Sequence, residues 1–320
     1  MTSLPTRLRP VWPELPPSVR AGVEARLGAS VTGWTSHDGG YSPGMASTLR
    51  TVRGDVFVKA VSTAHETSAH LYREEARRAV LVPEGVPAPR PLWYAEVDAD
   101  DQESAPWIAL AFESVAGSRP PRQPWIDAEL DAVLRLCTEV ARFEIPPGVL
   151  PDFAEALPTD RTAALTDELP DGLDSFDPWY AAQLDRLATI EESAADAVTG
   201  GSLVHADLRG DNSLLVDEPH GVRALAVDWP YASRGAAFCD LVAMLPATVL
   251  EGGPLPEEAL CRCPLPPGTD GDAVTAYLVA LTGYFVHSSL QAPPPGIPHV
   301  REFQRAQGEV CIAWLRRRLA

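Results

Sequence analysis

Three oxygen-bearing side chains sit where a nucleoside triphosphate could use them. They are Asp207, Asn212 five positions later, and Asp228, carried by Val204-His205-Ala206-Asp207-Leu208-Arg209-Gly210-Asp211-Asn212 and Val227-Asp228-Trp229. Phosphoryl transfer needs a carboxylate to align a hydroxyl and take its proton, together with hard oxygen ligands for Mg²⁺. Asp207 is the candidate base, and Asn212 and Asp228 are the candidate metal ligands. The apolar run Ala224–Val227 reads as a strand that delivers Asp228 to its end. His205 reads as a residue that braces the loop through backbone hydrogen bonds. Arg209 has two readings, a contact to the γ-phosphate or a solvated loop arginine.

The spacing also matches the kinase catalytic loop H-R-D-L-x-x-x-N at His205, Asp207, Leu208 and Asn212. Ala206 replaces the arginine that receives an activation-loop phosphate in many protein kinases, which points to a kinase of small molecules. Asp-x-x-x-x-Asn alone is common, and a lysine far upstream raises its meaning. Val56-Phe57-Val58-Lys59 resembles the V-A-I-K strand, whose lysine pairs with phosphates and with a helix glutamate. The alternative for Lys59 is an ordinary surface lysine. Phe57 shares its strand face and would approach an adenine ring. Glu74 and Glu75 compete as the helix partner, and the stripe of Leu71, Ala79 and Val82 favours Glu75.

A glycine-bearing turn, Gly39-Gly40-Tyr41-Ser42-Pro43-Gly44, lies before this strand. Gly40, Ser42 and Gly44 are candidates for bringing backbone N–H groups to phosphate. The turn imitates two other motifs. Met45-Ala46 stand where a P-loop needs Lys-Ser/Thr, so neither the cation nor the Mg²⁺ hydroxyl exists. Gly40-x-Ser42-x-Gly44 fits a hydrolase elbow, but Pro43 lacks the N–H that the oxyanion hole requires.

The elements that must hold these residues follow from periodicity. A short helix is expected over Pro17 to Gly28, strands near 30–35, 46–52, 55–61, 91–97 and 107–113, and a helix over 64–82. Residues 116–124, rich in Gly, Pro and Arg, read as a linker. Beyond it the pattern is helical around 125–143, 178–197, 238–250, 271–290 and 298–319, interrupted by a short strand pair near His205. The organisation is thus a β-rich N-terminal lobe over 1–115, the linker, and a helical catalytic lobe over 125–320, an α+β chain.

Composition narrows the function. With 320 residues and 45% hydrophobic content the chain can bury a large core. A net charge of −18 opposes nucleic acid as a partner. It suits a cationic acceptor, and equally a merely soluble acidic surface. No apolar run has the length of a membrane span, and the first residues lack a signal-peptide core, so a cytoplasmic protein is expected. Five scattered cysteines read as free thiols. Cys261-Arg262-Cys263 lacks the second ligand pair that zinc would need.

Taken in order, Lys59, a helix glutamate, Asp207, Asn212 and Asp228 resemble the aminoglycoside phosphotransferase and choline kinase-like superfamily over residues 33 to 315. Gly85-Val86-Pro87-Ala88-Pro89-Arg90 resembles its G-V-P-x-P-R stretch, and counting back from it selects Glu74. Gly235 and Cys239-Asp240-Leu241 look like its G-x-x-x-x-D-L segment, where the aspartate is structural. The resemblance implies a bilobal protein kinase-like fold, nucleotide between the lobes, and adenine near a connector over Phe112–Val115, which includes Glu113 and Val115. It implies ATP or GTP with Mg²⁺ and a small-molecule hydroxyl acceptor. An aminoglycoside-like or other cationic antibiotic leads among acceptors, with choline, homoserine or a sugar as the metabolite alternative. A nucleotide-binding pseudokinase is the non-enzymatic alternative, disfavoured because Lys59, Asp207, Asn212 and Asp228 are all retained. The acids of Pro151–Pro178, eight against the single base Arg161, are candidates to line the acceptor site or to form a solvated loop.

Overall fold

The structure, a computed structural model, describes residues 9–37, 42–98, 105–167, 170–294 and 299–320. The chain divides into two compact units: 1–82 with 88–117 and 228–230, and 83–87 with 118–227 and 231–320.

The first unit is built on a five-stranded antiparallel sheet in the order β1-β2-β3-β5-β4. Its strands are β1 (Val31–Ser36), β2 (Met45–Thr51), β3 (Gly54–Ser62), β4 (Pro91–Val97) and β5 (Trp107–Glu113). Alternation decides the faces. Val58 and Ala60 of β3 join Met45, Leu49, Ala109 and Ala111 in a core covered by α1 (Pro17–Leu27) through Val19 and Val23. The helix ends at Gly28, whose φ of +65° suits glycine and whose N–H reaches Glu24 O at 2.9 Å. Phe57 and Lys59 take the opposite face. Helix α2 (Glu66–Ala79) packs on β3 and β5, burying Ala69, Tyr72, Glu75 and Ala79.

The second unit is mainly helical: α3 (Asp127–Val140), α4 (Phe153–Ala156), α5 (Arg161–Asp167), α6 (Pro178–Ala182), α7 (Leu184–Glu191) and α8 (Ala194–Ala197). After them come α9 (Cys239–Leu250), α10 (Pro256–Arg262), α11 (Gly271–Ser289) and α12 (Val300–Arg318). Helices α9 and α11 are apolar almost all round and form its centre. Two small antiparallel pairs carry the loops, β6 (Ser202–Val204) with β9 (Ser233–Gly235) and β7 (Ser213–Glu218) with β8 (Gly221–Ala226).

The expected single helix over 178–197 is broken twice. Gln183 leaves helical geometry at ψ 0°, and Ser193, whose hydroxyl donates to Ile190 O at 2.9 Å, separates α7 from α8. Among the described residues no helix is long and apolar enough to cross a membrane.

Candidate functional site

In the second unit, β6 ends at Val204 and the chain turns through a loop pinned from beneath. Asp240, on the first turn of α9 and 2% exposed, accepts the backbone N–H of His205 at 2.7 Å and of Ala206 at 2.8 Å. Those bonds hold Ala206 at φ +65°, a conformation alanine rarely adopts. Burial pushes the Asp240 carboxyl up to about 6, against the two N–H donors that favour its charge. His205 is fully buried. Its Nδ1 receives the Asp207 N–H at 3.3 Å, so Nε2 carries the proton and donates to Val227 O at 3.0 Å. It braces the loop.

Asp207 emerges from this turn with both carboxylate oxygens engaged. Asn212 Nδ2 donates to Asp207 Oδ2 at 2.9 Å and to its carbonyl at 2.7 Å. The Arg209 guanidinium stands 3.4 Å from Oδ1, grips Asp211 with two bonds of 3.1 Å, and lies 5.0 Å from the centre of the Phe303 ring. Arg209 is therefore neither a solvated loop residue nor extended outward. Because the Asn212 amide nitrogen faces two acceptors, its Oδ1 points away, with no protein partner among the described residues.

In the first unit, Lys59 Nζ sits between two carboxylates, 2.7 Å from Glu75 Oε2 and 2.8 Å from Asp228 Oδ1, with the Tyr72 ring centre at 5.1 Å. Burial opposes the ammonium charge, but Asp228 and Glu75 outweigh it and hold Lys59 well above the usual lysine range. Burial pushes Glu75 up to about 7, with Lys59 opposing. Asp228 has φ +71° and keeps its side chain 41% exposed.

The register that selected Glu74 is corrected here. Glu74 pairs with Arg77 at 2.9 Å and Arg78 at 3.0 Å within α2 itself, while Lys59 bonds Glu75. One residue is about 100° of helix, enough to move a side chain from one face to another.

The turn before β2 is also locked to α2. Ser42 donates to the Tyr72 hydroxyl at 3.1 Å and accepts the Gly44 N–H at 3.2 Å. A Cβ on Gly44 would fall 2.5 Å from Ala60 O, which only glycine avoids. Gly40 lies outside the described residues. Phe57 packs on His37 at 5.7 Å between ring centres. Glu113 accepts the Arg90 N–H at 3.0 Å, and Val115 is partly buried beyond β5. In the acidic segment, Asp152 pairs with Arg234, Asp160 with Arg161 and Asp177 with Arg316, so these three acids are already engaged.

Sequence reasoning missed Tyr72, Asp211 and Phe303. Tyr72 and Glu75, three apart on α2, share one face, a spacing visible in the sequence. Phe303 carries no local signal beyond the apolar stripe of its helix.

The donor chemistry of Asn212 and Asp228 is hard oxygen, which fits Mg²⁺ better than any thiolate or imidazole metal. The sequence profile of the phosphotransferase enzyme family matches residues 34–273. No curated protein matches the chain significantly. Among solved structures, choline kinase LicA from Streptococcus pneumoniae is similar at TM-score 0.56 and 16% identity, over 92% of this chain and 98% of that one. Spectinomycin phosphotransferase, solved with ADP and spectinomycin, is similar at TM-score 0.54 and 11% identity, over 94% and 98%. Ethanolamine kinase from Plasmodium vivax is similar at TM-score 0.52 and 11% identity, over 89% and 83%. At these identities the likeness is one of fold, a bilobal protein kinase-like architecture.

Proposed function

Because the chain belongs to the phosphotransferase enzyme family, we propose that it moves the γ-phosphoryl group of ATP or GTP to a hydroxyl of a small molecule. The observation that carries this reading is the Asp207 carboxylate, held by Asn212 and Arg209 at the end of a loop braced by Asp240. A carboxylate fixed in this way aligns an acceptor hydroxyl and takes its proton late in the step. Positioning and charge neutralisation supply the catalysis.

Asn212 and Asp228 are the residues that would hold Mg²⁺, which when bound neutralises charge on the phosphates. Lys59, kept cationic by its two carboxylates, supplies a fixed positive charge for the nucleotide phosphates. Ser42 and Gly44 shape the turn assigned to phosphate, and Glu113 and Val115 the segment assigned to adenine. A net charge of −18 supports an amine-bearing acceptor, with cationic antibiotics the leading class.

The test is Mg²⁺-dependent γ-phosphate transfer by the purified protein across amine-bearing hydroxyl compounds, with Asp207→Ala as control. The variant is expected to lose turnover and keep nucleotide binding. Unchanged turnover in Asp207→Ala would remove Asp207 as base.

A further inference from the structure

An apolar groove opens in the second unit between the segment that ends α9 and helix α12. It encloses about 240 Å³, walled by Val249, Leu250 and Leu255 on one side and by Ala306, Val310 and Ala313 of α12 on the other. Leu250 and Leu255 are large apolar side chains left 42% and 38% exposed. Of the charged side chains at the groove, Glu309 is tied to Arg305 at 3.0 Å, and Arg317 makes no ion pair among the described residues. No uncommitted carboxylate therefore faces the groove to receive a polycation.

Each wall belongs to a segment that touches the loop beyond the groove. Phe303, which stacks on Arg209, precedes Ala306 by three residues on α12 and so shares its face. On the other side, a Cβ on Gly210 would meet Glu251 Oε2 at 3.1 Å and the Trp125 ring at 3.0 Å, and Glu251 follows Leu250 directly. Pockets that take a whole small ligand run to about 300–1,000 Å³, so this smaller space suits one part of a molecule whose reacting hydroxyl lies elsewhere.

We propose that the groove holds an apolar arm, alkyl or aryl, of the phosphoryl acceptor, making that acceptor an amine-bearing hydroxyl compound with an apolar extension instead of a uniformly polar polycation. The inference rests on the phosphotransferase reading above. The path from Asp207 through Arg209 and Phe303 and one helical turn onward spans on the order of 10–15 Å, so the arm must reach that far from the hydroxyl.

The experiment uses the full chain, Mg²⁺–ATP and N-alkyl ethanolamines from methyl to octyl, reading kcat/KM for each. Specificity should stay flat for short arms and then rise about three- to fourfold for each methylene that enters the groove. Leu250→Asp, at an exposed position that tolerates charge, and Ala313→Trp, which fills the space, should each bring the octyl-to-methyl ratio towards one. A flat series in the parent protein, or a ratio unmoved by both variants, overturns the inference and leaves phosphoryl transfer standing. Transfer to other hydroxyl compounds but to no member of the series also overturns it. Failure of transfer to every hydroxyl acceptor tested removes the parent reading, and the inference with it.

Discussion

Asp240 accepts the backbone N–H of Ala206 at 2.8 Å, and Ala206 holds a left-handed backbone at φ +65°. An alanine there costs about 1–2 kcal/mol, and a charged acceptor bond recovers a comparable amount. The strained turn aims the next residue, Asp207, at Asn212. Asp240→Asn keeps the shape but offers one acceptor oxygen to two N–H groups. It should lower stability by about 1.5–3 kcal/mol and reduce kcat at least about tenfold, with nucleotide affinity within about twofold. Thermal unfolding with steady-state kinetics checks this, and parental kcat in the variant would show that the loop holds itself.

Lys59 distinguishes the two neighbouring glutamates. Glu75→Gln removes one of two carboxylates from a buried ammonium. Asp228 remains as partner, so the stability loss should be limited to about 1–3 kcal/mol, while affinity for the nucleotide falls as Lys59 leans on Asp228 alone. Glu74→Gln weakens two pairs made within α2, the one to Arg78 largely buried, and should lower stability by about 1–2 kcal/mol and change nucleotide affinity by nothing measurable. Nucleotide titration of both variants decides it, and equal losses would reject the assignment.

The sequence exposed what depends on local period. Phe57 and Lys59 opposite Val58 and Ala60 follow from strand alternation, and α2 buries Glu75 because its apolar stripe includes that position. Motif counting failed at the same place, since a register counted from the Gly85 segment ignores helix phase. The breaks at Gln183 and Ser193 were not legible, because helix-favouring residues surround both and neither residue makes an N-cap side-chain hydrogen bond to the helix that follows it. Phe303 reaches Arg209 only through tertiary folding, and no spacing announces such a contact.

Arg209 offers a choice between two roles that kinetics can separate. Its guanidinium is committed to Asp211 and the Phe303 ring while facing Asp207 Oδ1. If it orients the base, Arg209→Lys loses the forked pairing and the stacking, because an ammonium is a point charge. Then kcat should fall about tenfold with nucleotide KM unchanged, and Phe303→Leu should show a smaller fall of the same kind. A rise in nucleotide KM with kcat kept would instead assign Arg209 to the phosphates.

Glu251 makes stability depend on pH in a direction that can be stated in advance. Burial pushes its carboxyl up to about 7 from an ordinary 4.5, with Asp211 adding to the shift and Arg209 opposing it. In the unfolded chain the proton leaves near the ordinary value. Between about 4.5 and 7 the folded protein thus binds more protons than the unfolded one, and stability falls as pH rises through that window. Glutamine carries no titrating proton, so Glu251→Gln should remove this contribution. The melting temperature of the variant relative to the parent should climb from pH 4.5 to pH 8 and level off above about 7. Differential scanning calorimetry across that range measures it, and parallel curves for the two proteins would show that Glu251 titrates alike in both states.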